Sequence, residues 1–157
     1  MSFLTLDLDS ISVTFSSFAN NEYPRTTVQP LSSVEFSVLG TPSIQGSYFE
    51  PKYMWNISAY IDREQREMLD AIAHEFHTRR RNLDDANILI YDRTATVAEK
   101  NRTRSLVPNT VETAIGGGFV VYYAVFKAAI VDGPKYSQQG RKIVATLGLT
   151  ETIKVVP

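Results

Sequence analysis

The chain contains no cysteine among its 157 residues. This absence excludes a disulfide framework, thiol catalysis and zinc sites with cysteine ligands. The net charge is −1, the difference between 16 basic and 17 acidic residues, so no overall field draws the chain to nucleic acid or to an anionic membrane. The longest apolar run, Phe119 to Val131, is interrupted by Lys127 and is too short to span a bilayer.

The first ten residues, MSFLTLDLDS, lack the basic stretch that a secretory signal peptide requires. We therefore expect a soluble protein that is intracellular or associated with a particle. Hydrophobic residues make up 43% of the chain and charged residues 21%, which is ordinary for a globular domain. A chain of this length can bury a core without metals or disulfides, and we expect a single domain spanning residues 1–157.

Most of the chain alternates polar and apolar residues, as half-buried β-strands do. This alternation changes phase at Asp9-Ser10, which predicts a tight turn or a bulge there. We expect a loop over Ser17–Pro30 and a turn at Asp132–Pro134, because both are rich in turn-forming residues. The predicted strands are Leu4–Phe15 in two halves, Val34–Val38, Tyr53–Ile61, Ile88–Tyr91, Phe119–Val131 and Ile143–Val155.

One amphipathic helix is predicted from Asp62 to Arg81. Asp62 and Gln65 have the spacing of a capping box, and Arg79–Arg81 complement the negative end of the helix. Its apolar stripe, which must pack on a sheet, consists of Met68, Leu69, Ile72, Ala73 and Phe76. The fold class that follows is α+β, mainly β: a β-sandwich or barrel with one flanking amphipathic helix and a long inter-strand arm.

That arm is Arg93–Asn109, a polar connection within a stretch, Lys52–Val107, that has neither glycine nor proline. It offers so few apolar groups that a lone chain is not expected to order it, and long unstructured connections are usually functional or disordered. Acidic residues dilute its basic ones, which favours ion pairing between subunits over phosphate binding, although both remain open. We predict an assembly interface made of Arg79, Arg80, Arg81, Arg93, Val97, Lys100, Arg102, Arg104 and Leu106.

No short motif specifies chemistry. His74 and His77 lie three residues apart, whereas the zinc motif of metalloproteases needs histidines four apart, so we expect surface histidines and no metal. Gly116–Gly118 is followed by strand-forming residues and no nearby lysine, which favours a hairpin turn or hinge over a phosphate cradle. With no serine in a nucleophile elbow either, we predict no catalytic residues and no cofactor, and an enzyme ranks third among the alternatives.

Aromatic residues are densest at Tyr48, Phe49, Tyr53 and Trp55, where they could stack on a sugar ring. Because Tyr53 and Trp55 share the apolar parity of their strand, packing in the core is the better interpretation. If these side chains do face solvent, the alternative function is a small β-sandwich binding module for carbohydrate that uses Tyr48, Tyr53 or Trp55.

The order of these elements resembles the tail-tube and distal-tail (baseplate hub) proteins of long-tailed bacteriophages. The matching pieces are the strand Tyr53–Ile61 that runs into the helix, the return strand Ile88–Tyr91, the arm, and the strand Phe119–Val131. The resemblance implies a structural subunit of the tail tube, its tip or the adjoining baseplate, closed into a ring that is commonly six-fold. It also implies a virion location after assembly in the bacterial cytoplasm, neighbouring tail or baseplate proteins as partners, no membrane, and at most DNA passing through the lumen.

Overall fold

The computed structural model describes residues 3–19, 24–28, 33–45 and 52–157. Within these ranges the fold is α+β and mainly β, with twelve strands and one helix. The elements in chain order are β1 (Leu4–Leu8), β2 (Ile11–Phe15), β3 (Arg25–Val28), β4 (Ser33–Phe36), β5 (Pro42–Gln45), β6 (Lys52–Ile61), α1 (Arg63–Arg81), β7 (Ile88–Asp92), β8 (Val97–Glu99), β9 (Thr113–Gly116), β10 (Phe119–Tyr122), β11 (Val125–Gln139) and β12 (Lys142–Lys154). The helix is too polar to cross a membrane, and it is the one helix among the described residues.

Seven strands form one antiparallel sheet in the order β2-β1-β7-β11-β12-β6-β3. Although β2 and β6 stand five places apart in this order, the chain just beyond β2 reaches β6. Ala19 N donates to Ser58 O and Tyr60 N donates to Ser17 O, both at 2.7 Å. The sheet is therefore curved, so that the segment following β2 lies against β6, while β3 is the last strand at that side of the sheet. Two smaller sheets accompany it, β8-β10-β9 and the hairpin β4-β5.

The core lies on the inner side of this curved sheet. Alternate residues of each strand point into it, as the period of two requires. Leu69, Ile72 and Phe76 of α1 join the same cluster and are fully buried, so the helix packs on the sheet as predicted. Each fully buried large side chain contributes roughly 1.5–3 kcal/mol. The inward-facing sheet residues include Leu4, Leu6, Leu8, Val13, Phe15, Trp55, Ile57, Ala59, Ile88, Ile90, Phe126, Leu147 and Leu149.

The predicted capping box at the start of the helix is confirmed. Asp62 Oδ1 accepts a hydrogen bond from Gln65 N at 2.8 Å, and Gln65 Oε1 accepts one from Asp62 N at 3.0 Å. Gln65 Nε2 also donates to Thr14 O at 2.7 Å, which fixes the helix start against β2. The predicted burial of Met68 is wrong, since its side chain is 40% exposed. Met68 precedes Leu69 by one residue, which turns it about 100° away from the buried face.

Three predicted boundaries differ from the structure. The segment Phe119–Val131 is not one strand, because β10 and β11 belong to different sheets and the chain changes sheet at Tyr123-Ala124. The expected loop Ser17–Pro30 contains strand β3. The turn at Asp132–Pro134 is wrong: these residues lie inside β11, where the register with β12 shifts, and the hairpin turns at Gly140 instead. The turn-forming residues 132–134 therefore form a β-bulge, in which one strand carries an extra residue relative to its partner.

Other turns are as expected. Asp9, with φ of 57°, makes the tight turn between β1 and β2. Gly116–Gly118 form the hairpin turn between β9 and β10, and all three have positive φ, which glycine adopts without a steric penalty.

Replacing Gly133 with alanine should destabilise the fold more than the same change at Gly140. Both glycines have positive φ, 85° and 65°, so each alanine should cost about 1–2 kcal/mol in backbone strain. A Cβ at Gly133 would lie 2.7 Å from Thr146 O, whereas one at Gly140 meets nothing within 4 Å. Overpacking should add ~1–3 kcal/mol at Gly133 alone. Urea unfolding of both variants measures the difference, and equal losses would contradict the bulge geometry.

Candidate functional site

The arm, residues 93–109, is folded onto its own chain. Strand β8 within it pairs with β10, and Val97 and Val107 are buried in the interior. Ser105 N donates to Val155 O at 2.8 Å, and Ser105 O accepts from Val125 N at 3.0 Å. The prediction that a lone chain lacks partners for the arm is therefore wrong. The partners are backbone groups and side chains of β10, β11 and the end of the chain.

Arg104 anchors the arm through a forked ion pair. Its Nη2 lies 3.1 Å from Glu151 Oε1 and its Nε 3.3 Å from Glu151 Oε2, while its Nη1 lies 2.8 Å from Glu99 Oε1. The side chain of Arg104 is only 4% exposed and that of Glu151 is 0% exposed. A guanidinium held in this way matches two carboxylate oxygens at once and is hard to replace. Arg104 and Val97 are thus interior residues, and we withdraw them from the predicted interface.

Tyr122 completes this end of the arm. Its hydroxyl donates to Glu99 Oε2 at 2.9 Å and accepts from Arg104 N at 3.2 Å. Burial, together with the hydrogen bond to Glu99, raises the pKa of Tyr122 to about 12. Burial alone would raise the pKa of Glu99 too. Hydrogen bonds from Thr103 and Tyr122 and the charge of Arg104 outweigh it, and the pKa of Glu99 is lowered.

A second buried ion pair joins strand β3 to the start of the arm. Arg25 Nη1 lies 3.0 Å from Asp92 Oδ2, and Arg25 Nη2 donates to Thr96 O at 2.9 Å. Asp92 is fully buried and also accepts from Trp55 Nε1 at 3.2 Å and from Thr94 N at 2.8 Å. Each oxygen of this carboxylate has a partner, which is the condition for burying a charge at tolerable cost.

The two arginines meet across a pair of aromatic rings. The guanidinium carbon of Arg25 lies 5.1 Å from the centre of the Tyr53 ring and 5.4 Å from that of Phe126. For Arg104 the corresponding distances are 5.2 and 5.5 Å. Cation–π contacts of desolvated arginines are worth about 2 kcal/mol or more. We call Arg25, Arg104, Tyr53, Phe126, Asp92, Glu99 and Glu151 the arginine–aromatic cluster.

The arginine–aromatic cluster ties strands β3, β6, β7, β11 and β12 to the arm. Because its charged groups are paired, it offers neither a free base nor a free nucleophile. The arrangement therefore acts as a clamp that fixes the arm on the sheet.

Removing the hydroxyl of Tyr122 should change how stability depends on pH. The folded-state pKa, about 12, lies above the ordinary value of 10.0, so the hydroxyl contributes stability below pH 10 that is lost as the pH rises to 12. Tyr122→Phe should lack that loss. The difference in unfolding free energy between the two proteins should be steady below pH 10 and shrink between pH 10 and 12. Urea unfolding at each pH measures it, and a constant difference would refute the buried hydrogen bond.

The predicted interface residues at the end of the helix lie at the surface. Arg79 pairs with Asp9 and with Glu75, the latter at 2.9 Å between Nε and Oε1. Arg80 and Arg81 are exposed. These residues remain candidates for contact with another subunit.

The remaining arm residues are only partly committed to the chain itself. Arg93 donates to Pro108 O at 2.9 Å, and Arg102 pairs with Glu112 at 3.2 Å. Leu106 pairs with Ala124 and is partly buried, while Lys100 is exposed. Both arginines and Lys100 can still contact a neighbouring subunit at their outer sides.

Two of the aromatic residues proposed for sugar stacking, Tyr53 and Trp55, lie in the described part of the chain and pack against Phe126. Trp55 is fully buried with its ring centre 5.0 Å from that of Phe126, so it cannot stack on a ligand. Tyr53 belongs to the arginine–aromatic cluster. Tyr48 and Phe49 lie outside the described residues.

His74 and His77 are exposed on the helix, and the ring of His77 contacts that of Phe76 edge-on, with the ring centres 5.2 Å apart. In the part of the chain that the structure describes, no three metal-binding side chains come together.

Sequence reasoning missed the acidic half of the cluster, and one signal could have revealed it. Asp92 follows Ile88 and Ile90 at the same parity, and Glu151 follows Leu147 and Leu149 in the same way. A carboxylate in line with buried aliphatics points into the core, where it requires a cationic partner. Two such acids predict two buried bases.

The chain was also compared with known proteins. No protein-family model matches it, and no curated protein matches it.

Proposed function

We propose that this protein is a structural subunit that assembles with copies of itself into a ring, as part of a phage tail tube, tail tip or baseplate. In this role it sits in the virion, is assembled in the host cytoplasm, and contacts neighbouring tail or baseplate proteins. Six-fold symmetry is the expected closure, with DNA passing through the lumen. The protein performs no catalysis in this role.

The observation that carries the proposal is the placement of exposed apolar side chains. Large apolar residues of the hairpins β4-β5 and β9-β10 lie in solvent. Exposed apolar groups that sit together usually mark a surface that another protein covers. A subunit that is complete only in an assembly is expected to show such surfaces.

The curved sheet supports the same role, and we take it as the wall of a barrel or sandwich. Its inner face is filled by the core, while its outer face carries many polar side chains, which suits contact with water or with a conduit. These outward polar residues include Thr5, Asp7, Ser12, Thr14, Asn56, Ser58, Lys127, Thr146 and Thr150.

The arginine–aromatic cluster supports the proposal indirectly. By holding the arm on the sheet, it orders the arm before assembly. Rigid subunits lose less conformational entropy when they assemble than subunits with unfolded arms, since each residue ordered costs ~1–2 kcal/mol.

Sedimentation velocity over a wide concentration range tests the proposal. A ring former should pass from monomer to a defined higher oligomer as its concentration rises, by mass action. A protein that remains monomeric at every concentration, including millimolar, contradicts the proposed function.

A further inference from the structure

The β4-β5 hairpin, residues 33–45, presents an apolar tip to solvent. Phe36 is 70% exposed and Leu39 is 93% exposed, and Val38 between them is fully exposed. Among the described residues, neither strand of this hairpin pairs with a third strand. An isolated two-stranded hairpin is marginally stable in water, and a third strand with an apolar face is what stabilises it.

Strand β9 offers a matching edge elsewhere in the chain. It is the outer strand of the sheet β8-β10-β9, all four of its residues are exposed, and none of them is charged or proline. Ile115 within it and Phe119 just beyond the turn place apolar side chains in solvent, as does Val111 before it. Proteins usually protect such an edge with charge, proline or a covering element. Here the outer edge of β9 carries none of these among the described residues.

We propose that the β4-β5 hairpin of one copy adds to the β9 edge of a second copy. This inference rests on the proposed function, because it names the contact that closes the ring. Strand β4 is the one that pairs with β9, because each residue from Ser33 to Phe36 has an N–H, whereas β5 begins at Pro42, which has none. The result is a five-stranded sheet in the order β5-β4-β9-β10-β8 across the two copies, with the hairpin tip beside Ile115 and Phe119.

The charges of the two segments fit this contact. Residues 33–45 contain one charged residue, Glu35, and residues 113–122 contain none, in a chain that is 21% charged. Glu112, just before β9, is paired with Arg102. Covering these segments therefore buries little charge. Burying an unpaired charge would oppose the contact, because its desolvation costs free energy.

A second copy is the occupant because the chain itself carries both halves of the contact: a hairpin without a third strand and an edge strand without an outer neighbour, among the described residues. The hairpin and the β9 edge are different surfaces of one chain, so their contact is heterologous: each copy gives its hairpin to one neighbour and its edge to another. Contacts of this kind generate a ring when the rotation closes. Two copies pairing through the same surface would stop at a dimer.

Mixing two disabled variants tests the inference. Leu39→Asp disables the hairpin and Ile115→Asp disables the edge, and both positions are solvent-exposed in the free chain, so folding should be retained. Each variant alone should assemble at least about tenfold more weakly than the unchanged protein, because the contact would bury an unpaired carboxylate. A 1:1 mixture should form a heterodimer and stop there, because the one remaining contact joins the intact edge of the first to the intact hairpin of the second.

Val131→Asp is the matched control. Val131 is similarly exposed but lies in β11, outside both hairpins, so this variant should assemble like the unchanged protein. Sedimentation velocity, with one variant fluorescently labelled in the mixture, measures the assembly of all five samples: the unchanged protein, the two single variants, their mixture and the control. Hydrogen exchange gives a second reading that needs no variant: amides of β4 and β9 should exchange at least about tenfold more slowly in the assembled protein.

The failures are distinguishable. If the unchanged protein assembles but the mixture stays monomeric, or the single variants assemble normally, the hairpin contact is wrong while the proposed function stands. If the unchanged protein and Val131→Asp are both monomeric at every concentration, the proposed function fails as well. Unchanged exchange of the β4 and β9 amides on assembly overturns the contact independently.

Discussion

Replacing Arg104 with methionine should lower the free energy of unfolding by about 3–5 kcal/mol, the range for breaking a buried ion pair from one side. The change leaves Glu151 fully buried without its guanidinium partner, and Glu99 loses its closest charged partner. Methionine retains much of the volume, so the loss reports the charge rather than a cavity. Urea unfolding of dilute protein, followed by circular dichroism, gives the value.

Two further variants separate the buried charge from other effects. Arg104→Met combined with Glu151→Leu removes both charges of the pair and should recover much of the lost stability, because a well-packed apolar pair can replace a buried ion pair. Arg102→Met breaks the partly exposed pair with Glu112 and a long, 3.4 Å hydrogen bond to Arg104 O, and it should cost about 1 kcal/mol or less. A single Arg104 variant as stable as the Arg102 variant, or a double variant no better than the single one, would show that the cluster is not a clamp.

Replacing Phe76 with alanine should cost about 3–5 kcal/mol, the usual loss when a buried phenylalanine is truncated. Phe76 is almost completely buried in the core cluster, where α1 packs on the sheet. Met68→Ala is the control on the same helix. Because Met68 is exposed, this substitution should lower the free energy of unfolding by less than about 1 kcal/mol. Equal losses at the two positions, measured by thermal unfolding, would mean that the helix does not pack through its Phe76 face.

Local rules were enough to predict the elements that depend on neighbouring residues. The helix start follows from Asp62 and Gln65 alone, because a capping box is closed within four residues. The facing of β6 follows from the alternation of Trp55, Ile57 and Ala59. These interactions are local in sequence, so no knowledge of the tertiary fold was required.

The prediction failed where a residue's role depends on distant partners. Asp132–Pro134 have the composition of a turn, but pairing with β12 holds them as a bulge. The arm looked unsupported because its partners are remote: Arg104 and Glu151 are 47 residues apart, and Arg25 and Asp92 are 67 apart. Spacing of this kind carries no local signal.

The structure also changes which part of the chain is expected to make the assembly contact. The arm was predicted as the interface because of its charge and length, yet its central residues are bound within the subunit. The exposed apolar hairpins are the better candidates, since burying apolar surface is the main source of affinity between proteins. Arg80, Arg81 and Lys100 remain at the surface, where charges adjust register and association rate more than affinity.

Electron microscopy of the concentrated, purified protein tests the central claim most directly. If this chain is a ring-forming tail subunit, negatively stained particles should show closed rings with a central hole in end-on views, and their class averages should share one rotational symmetry, with six-fold expected. A field of uniform particles with the dimensions of a single subunit, at concentrations where the protein remains soluble and folded, would contradict the account.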